Sequence, residues 1–160
     1  MSAEVDVPQG GGDGMIATMG GRWGGWGLYL LKGKPVFHYN MLILAQYRWE
    51  GPDQLAPGKH TIAFDYTYDG PGIAKGGNGV LKVDGKVVAT GKQANSIAFL
   101  QIADETFDVG LDTRTGVSTD YQVPFAFDGK IDKLTVKLGP MQLTSDDHAL
   151  VQKKRAEAND

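Results

Sequence analysis

The sequence predicts an all-β fold, a two-sheet antiparallel β-sandwich or jelly roll with one short C-terminal helix. Three observations lead there. Apolar and polar residues alternate in many short segments, which is the period of a half-buried strand. Glycine, 23 of 160 residues, is spread between those segments as punctuation and is not gathered ahead of a helix. A helical pattern is legible only in the last stretch of the chain.

Residues 1–14, polar and glycine-rich, read as a flexible lead-in, and residues 15–143 as the sandwich. A first short strand is expected over 15–19. The run GGRWGGWG then sets Trp23 and Trp26 among glycines, either as indoles packed on bare backbone or as a platform for sugar rings. Residues 26–31 are apolar on both faces, as in a central strand covered on two sides. Lys32, Gly33, Lys34 and Pro35 make a turn, and 36–40 resumes with Phe37 and Tyr39 on one face. Residues 41–49 alternate as a strand. Ile43, Ala45, Tyr47 and Trp49 are expected inward, and Gln46, Arg48 and Glu50 outward with Leu44 as the apolar exception. Two prolines make 51–58 a loop. Along 60–68, Ile62, Phe64, Tyr66 and Tyr68 share a face. Residues 69–79 read as a glycine-rich loop. Segments 80–83 and 87–90 flank Asp84-Gly85, a two-residue hairpin link. Ile97 and Phe99 mark a further short strand.

In 105–136, Phe107, Val109 and Leu111 alternate with Asp108, Gly110 and Asp112, which predicts one apolar face and one bearing carboxylates. The polar loop 113–123 follows. Phe125 and Phe127 then alternate, Gly129 interrupts, and Leu134, Val136 and Leu138 alternate again. Ile131 is out of phase with Leu134, so a bulge is expected near 132–133. Residues 144–160 read as helix and tail. Thr144 and Asp147 have capping-box spacing, with helix formers over 148–158 that fray after Lys154. Lys153, Lys154 and Arg155 form a solvated cluster suited to the negative end of the helix dipole.

A net charge of -3 argues against nucleic acid and anionic membranes as partners. No apolar run approaches the roughly 18 residues of a membrane helix. The absence of cysteine removes disulfides, thiolate metal sites and a cysteine nucleophile. No apolar signal-peptide core is legible in the first dozen residues, and the compartment, cytoplasmic or periplasmic, is left open.

Gly-Lys pairs at Gly33, Gly58, Gly85, Gly91 and Gly129 lack the following Ser or Thr of a phosphate loop and read as turn ends. His38, His60 and His148 lack paired-ligand spacing, and no G-x-S-x-G elbow exists. Asp108, Asp112 and Asp120 read first as solvated acids, with calcium as the lesser alternative. Positions i and i+4 of a strand lie roughly 13 Å apart, too far for a glycosidase pair. No catalytic residue, cofactor or metal ligand is assigned, and the chain alone is not expected to be an enzyme.

Two segments, GVLKVDGKVV and FDGKIDKLTV, resemble the Asp-Gly hairpin and closing strand of concanavalin-A-like jelly rolls. A more specific likeness spans 20–138. GGRWGGWGLYLLKGKPVFHYN, then PGKHTIAFDYTYDGPGIAKGGNG, then DETFDVGLDTRTGVSTDYQVPFAFDGKI is similar to the C-terminal region of large bacterial arylsulfatases, which are sulfuric ester hydrolases. The resemblance implies a non-catalytic accessory domain that follows an alkaline-phosphatase-like sulfatase domain, packs on it and shapes its substrate pocket. The family's C/S-x-P-x-R signature, source of the formylglycine nucleophile, is absent from this chain, and the family's calcium ligands belong to the catalytic domain. No catalytic or metal residue therefore carries over. Arg114 stands where the family leads one to expect glycine or another small residue.

Loop 113–123, with Arg114, Asp120 and Tyr121, is the expected contact, because an arginine there attracts a sulfate or carboxylate. The alternative is a free-standing lectin-like carbohydrate-binding module, with Trp23, Trp26 or Tyr121 stacked on sugar rings.

Overall fold

Alternating side chains and tight hairpin turns build two sheets, and the computed structural model describes them over residues 1–97 and 105–157, the side chain of Arg155 apart. The elements are β1 (Ser2–Val7), β2 (Gly14–Gly21), β3 (Gly24–Leu31), β4 (Lys34–Met41), β5 (Ala45–Glu50), β6 (Gly58–Tyr68), β7 (Lys75–Val83), β8 (Lys86–Asn95), β9 (Phe107–Val109), β10 (Leu111–Asp112), β11 (Phe125–Ala126), β12 (Lys130–Thr135) and α1 (Ser145–Glu157). The first sheet runs β12-β1-β6-β7-β8. The second runs β10-β11-β2-β3-β4-β5, with β9 also on β2. Pairing is antiparallel except where Ala126 of β11 meets Met15 of β2. Ile97 lies outside any strand, against the expected 97/99 strand, while its Phe99 half and the Arg155 side chain of the basic cluster lie outside the described residues.

The sheets close on a core of Val5, Ile62, Phe64 and Leu81 from one and Ile16, Leu28, Leu30, Phe37 and Trp49 from the other. Phe37 and Phe64 stack across the gap with ring centroids 3.6 Å apart, and Trp49 meets Phe64 edge-on at 5.0 Å. Each such side chain contributes roughly 1.5–3 kcal/mol through burial. β3, apolar on both faces, is central as expected: β2 and β4 flank it, and Leu28, Tyr29 and Leu30 are fully buried.

Several local signals hold in detail. Asp84 (φ 49°) and Gly85 (φ 78°) make the two-residue turn between β7 and β8. Glu4 pairs with Lys133 and Val5 with Ile131, so Asp132 is the extra residue of the expected bulge. At α1, Thr144 N donates to Asp147 Oδ2 at 2.8 Å and Asp147 N donates to Thr144 Oγ1 at 3.2 Å, a reciprocal capping box. The helix continues past Lys154 to Glu157, which pairs with Lys153 and Lys154.

Four expectations are corrected. Most of the lead-in is a strand: β1 lies between β12 and β6, with Ala3, Val5 and Val7 buried, an alternation that the adjoining GGGDG run obscured. The 41–49 segment is not one strand, because Met41 pairs with Ala45 and residues 42–44 form the turn. Within the expected loop 69–79, β7 begins at Lys75. There a Cβ on Gly79 would meet Trp49 and Phe64 within 2.6 Å, so these glycines let aromatic rings lie on a strand. Finally, Gly110 (φ 79°) breaks the 107–112 alternation into β9 and β10. Past that break Asp112 is buried, whereas Phe107, Val109 and Leu111 are each exposed over a third to a half of their surface.

Candidate functional site

The face of the second sheet turned away from the core carries aligned rows. Tyr29, Val36 and Glu50 form one row, Gly27, His38 and Arg48 the next, and Gly25, Asn40 and Gln46 the third. This face divides into a covered half, an uncovered tip and a cleft between them.

The covered half lies beneath residues 113–124. Met15, Tyr29, Val36 and Tyr121 form a second apolar cluster there, joined by Leu31, Val123 and Phe125. Tyr121 stacks on Phe125 at 4.3 Å and meets Tyr29 edge-on at 5.3 Å. Its hydroxyl donates to Asp112 Oδ2 and accepts from Val117 N. Burial pushes the Asp112 carboxyl up to about 6, helped by the charge of Glu105 and opposed by the Tyr121 hydrogen bond. Val117 sits on Gly27, where an added Cβ would lie 3.0 Å from its Cγ2, so the missing side chain of Gly27 is the loop's seat. At the loop's far side Asp120 accepts from Tyr29 Oη at 2.8 Å and pairs with Arg48, which also holds Glu50. Burial pushes the Tyr29 phenol up to about 12, so it stays a donor to Asp120.

The tip is built by the turns β2–β3 and β4–β5, joined by one buried side chain. Asn40 donates through Nδ2 to the carbonyls of Gly21 (3.1 Å) and Arg22 (2.9 Å). Its Oδ1 accepts from Ile43 N (2.9 Å) and Gln46 Nε2 (3.1 Å). All four hydrogen-bonding positions of the amide are used. The turn it supports carries Leu42 at φ 54° and Ile43 at φ 65°, left-handed backbone that a β-branched residue seldom adopts. The apolar side chains there point to solvent: Leu44 is 82% exposed, Leu42 48% and Ile43 46%, beside Trp23 at 69%. A Cβ added to Gly24, next to Trp23, would lie 3.3 Å from Leu42 Cδ2, and the Arg22 guanidinium lies 5.7 Å over the Trp23 ring.

Between loop and tip lies a cleft of about 470 Å³, walled by Arg22, Asn40, Gln46, Thr115, Ser118 and Gln122 among others. Behind Gln46 is His38, buried, with its pKa lowered by desolvation. The neutral imidazole donates from Nε2 to Gln46 Oε1, and its Nδ1 has no partner among the described residues. His60, by contrast, bonds Asp84 and the Ala56 carbonyl, away from this face.

Of the residues expected at a contact, Asp120 and Tyr121 are spent holding the loop to the sheet. Trp26 is half-buried on the core side, stacked on Phe37 at 6.0 Å. Arg114 is exposed at φ 42°, the region glycine favours, which gives the expected small residue a backbone reason. Trp23 alone of the five stands at the tip. Sequence reasoning missed Arg22, Asn40, Gln46 and the 42–44 turn. The one signal for the turn was Leu44, an apolar residue on the side expected to be wet. No protein-family model and no curated protein matches the chain.

Proposed function

We propose that this chain is the non-catalytic accessory β-sandwich of an arylsulfatase, packing on the catalytic domain through the tip formed by Trp23, Leu42, Ile43 and Leu44. The observation that carries the docking half is the tip itself. Four apolar side chains are held toward water around a fully bonded, buried Asn40, two of them, Leu42 and Ile43, on left-handed backbone. Strain maintained by a dedicated buried group marks a working surface, and clustered exposed apolar residues mark a contact. The sulfatase half rests on the motif likeness over 20–138. In this reading the adjoining loop 113–123, with Arg114 exposed on it, walls the substrate pocket of the partner domain.

The test is biolayer interferometry of the immobilised chain against an arylsulfatase catalytic domain expressed without its own C-terminal region. Binding is expected, and Trp23→Glu with Leu44→Glu is expected to weaken it by about a hundredfold. Equal binding by the folded double variant would end the docking assignment.

A second reading, a lectin-like carbohydrate-binding module, is favoured by one observation. Trp23 follows a cleft residue directly and presents an open indole face at the rim. Tryptophan fluorescence of the whole chain, titrated with saccharides, tests it through Trp23→Phe, and a signal unmoved by every sugar removes it.

A further inference from the structure

We infer that the cleft between loop and tip binds a small sugar bearing an oxyanion, either a sulfate ester or a carboxylate, with Arg22 as the anion-recognising residue. The cleft's volume, about 470 Å³, is within the range of small-ligand sites. Among the described residues its lining includes no aspartate or glutamate and one cation, Arg22. Most of the side-chain acceptors along it are already taken, the Gln122 oxygen and the Thr119 hydroxyl apart. Asn40 Oδ1 receives two donors, Gln46 Oε1 receives His38, and Thr115 Oγ1 receives Arg22 N while donating to Glu105. The carboxylate of Glu105 is thus engaged behind Thr115, outside the lining.

Donors, by contrast, remain unspent. Gln46 uses one N–H on Asn40 and keeps the other. Among the described residues the Gln122 amide has no hydrogen bond, and the Arg22 guanidinium has no ion pair and rests over Trp23. A wall rich in free N–H groups and poor in free acceptors matches an oxyanion, and matches the hydroxyls of a neutral sugar poorly. His38 is the positioning residue. By holding the Gln46 oxygen inward it leaves the Gln46 N–H for the cleft, and burial keeps the ring neutral for that task.

The inference narrows the saccharide reading to anionic sugars and is independent of docking at the tip. It is tested on the full ¹⁵N-labelled chain by chemical-shift titration with glucose 6-sulfate, glucuronic acid and glucose. At least one anionic probe is expected to shift the side-chain N–H signals of Arg22, Gln46 and Gln122 at millimolar concentration, while glucose does not. The stronger of the two probes tells sulfate ester from carboxylate. Arg22→Gln is expected to weaken binding by about tenfold or more, with Arg22→Lys between it and the native chain. His38→Phe is expected to weaken binding with Arg22 still shifted by the probe, because the Gln46 amide is then free to turn. Equal shifts with glucose would overturn the inference and leave the saccharide reading standing. Silence with all three probes, or undiminished affinity in a folded Arg22→Gln chain, overturns the inference outright.

Discussion

The two ends of one sheet face treat apolar surface in opposite ways. At the β10–β11 end, residues 113–124 fold back and bury Met15, Tyr29 and Val36. The polar atoms of that covering segment are tied down by Tyr121 to Asp112, Val117 to Tyr121 and Asp120 to Arg48. At the hairpin end an equally specific set of bonds, two donated and two accepted by Asn40, holds apolar side chains outward. Buried polar ties in the first case seal the chain on itself. In the second they shape a surface that the chain leaves uncovered, and a buried amide with four bonds is a costly way to organise something without use.

The largest expected effect falls on the tip. Asn40→Ala strands two carbonyls and an N–H, and is expected to destabilise by about 2–4 kcal/mol in urea unfolding while releasing the 42–44 turn. A loss below about 1 kcal/mol would mean that water replaces the amide and that the tip is not preorganised.

The covered half is next, through pH. The folded state keeps a proton on Asp112 up to about pH 6, whereas the unfolded carboxyl loses it near 3.8. Between those values the native chain binds more protons, so stability is expected to fall as pH rises through the window and to level off above it. The drop is on the order of 2 kcal/mol, and urea midpoints of Asp112→Asn at pH 4 and 7 should lack that contribution.

Tyr121→Phe removes the hydroxyl that joins Asp112 and Val117, and a loss of about 1–2 kcal/mol with faster proteolysis inside 113–124 is expected. Arg114→Gly relieves a left-handed residue and is expected to gain about 0.5–1 kcal/mol in melting experiments. Leu44→Glu sharpens the contrast most cleanly. Its effect on stability should stay within about 0.5 kcal/mol, while the affinity for a catalytic domain falls. A strongly destabilised Leu44→Glu chain would mean that the tip is core.

Features written in adjacent residues were legible in the sequence. The Asp84-Gly85 link, the bulge at Asp132 and the Thr144/Asp147 cap each depend on a few neighbouring positions, and each formed as expected. The tip was hidden because Leu42, Ile43 and Leu44 continue a strand-like alternation, and no glycine at 42 or 43 announces left-handed backbone. The stabilising group, Asn40, acts from the preceding strand. The cleft was hidden for another reason. Arg22, Gln46 and Gln122 are brought together by sheet register and the folded-back loop, which no local pattern encodes. The polar loop drew attention as the working part because it is hydrophilic, yet its Tyr121 and Asp120 are turned inward as fasteners.

One consequence follows from the place of β1. Ser2 is paired on one side with Ala63 and on the other with Thr135. During synthesis the earliest of these strands therefore waits for both its neighbours, the second emerging only when most of the domain is out of the ribosome. Until then an unpartnered β-edge persists, and the collapse that completes this sheet joins residues remote in the chain, which slows folding. A chain truncated before Lys130 is expected to expose the rim of β1 and to self-associate by adding strands there.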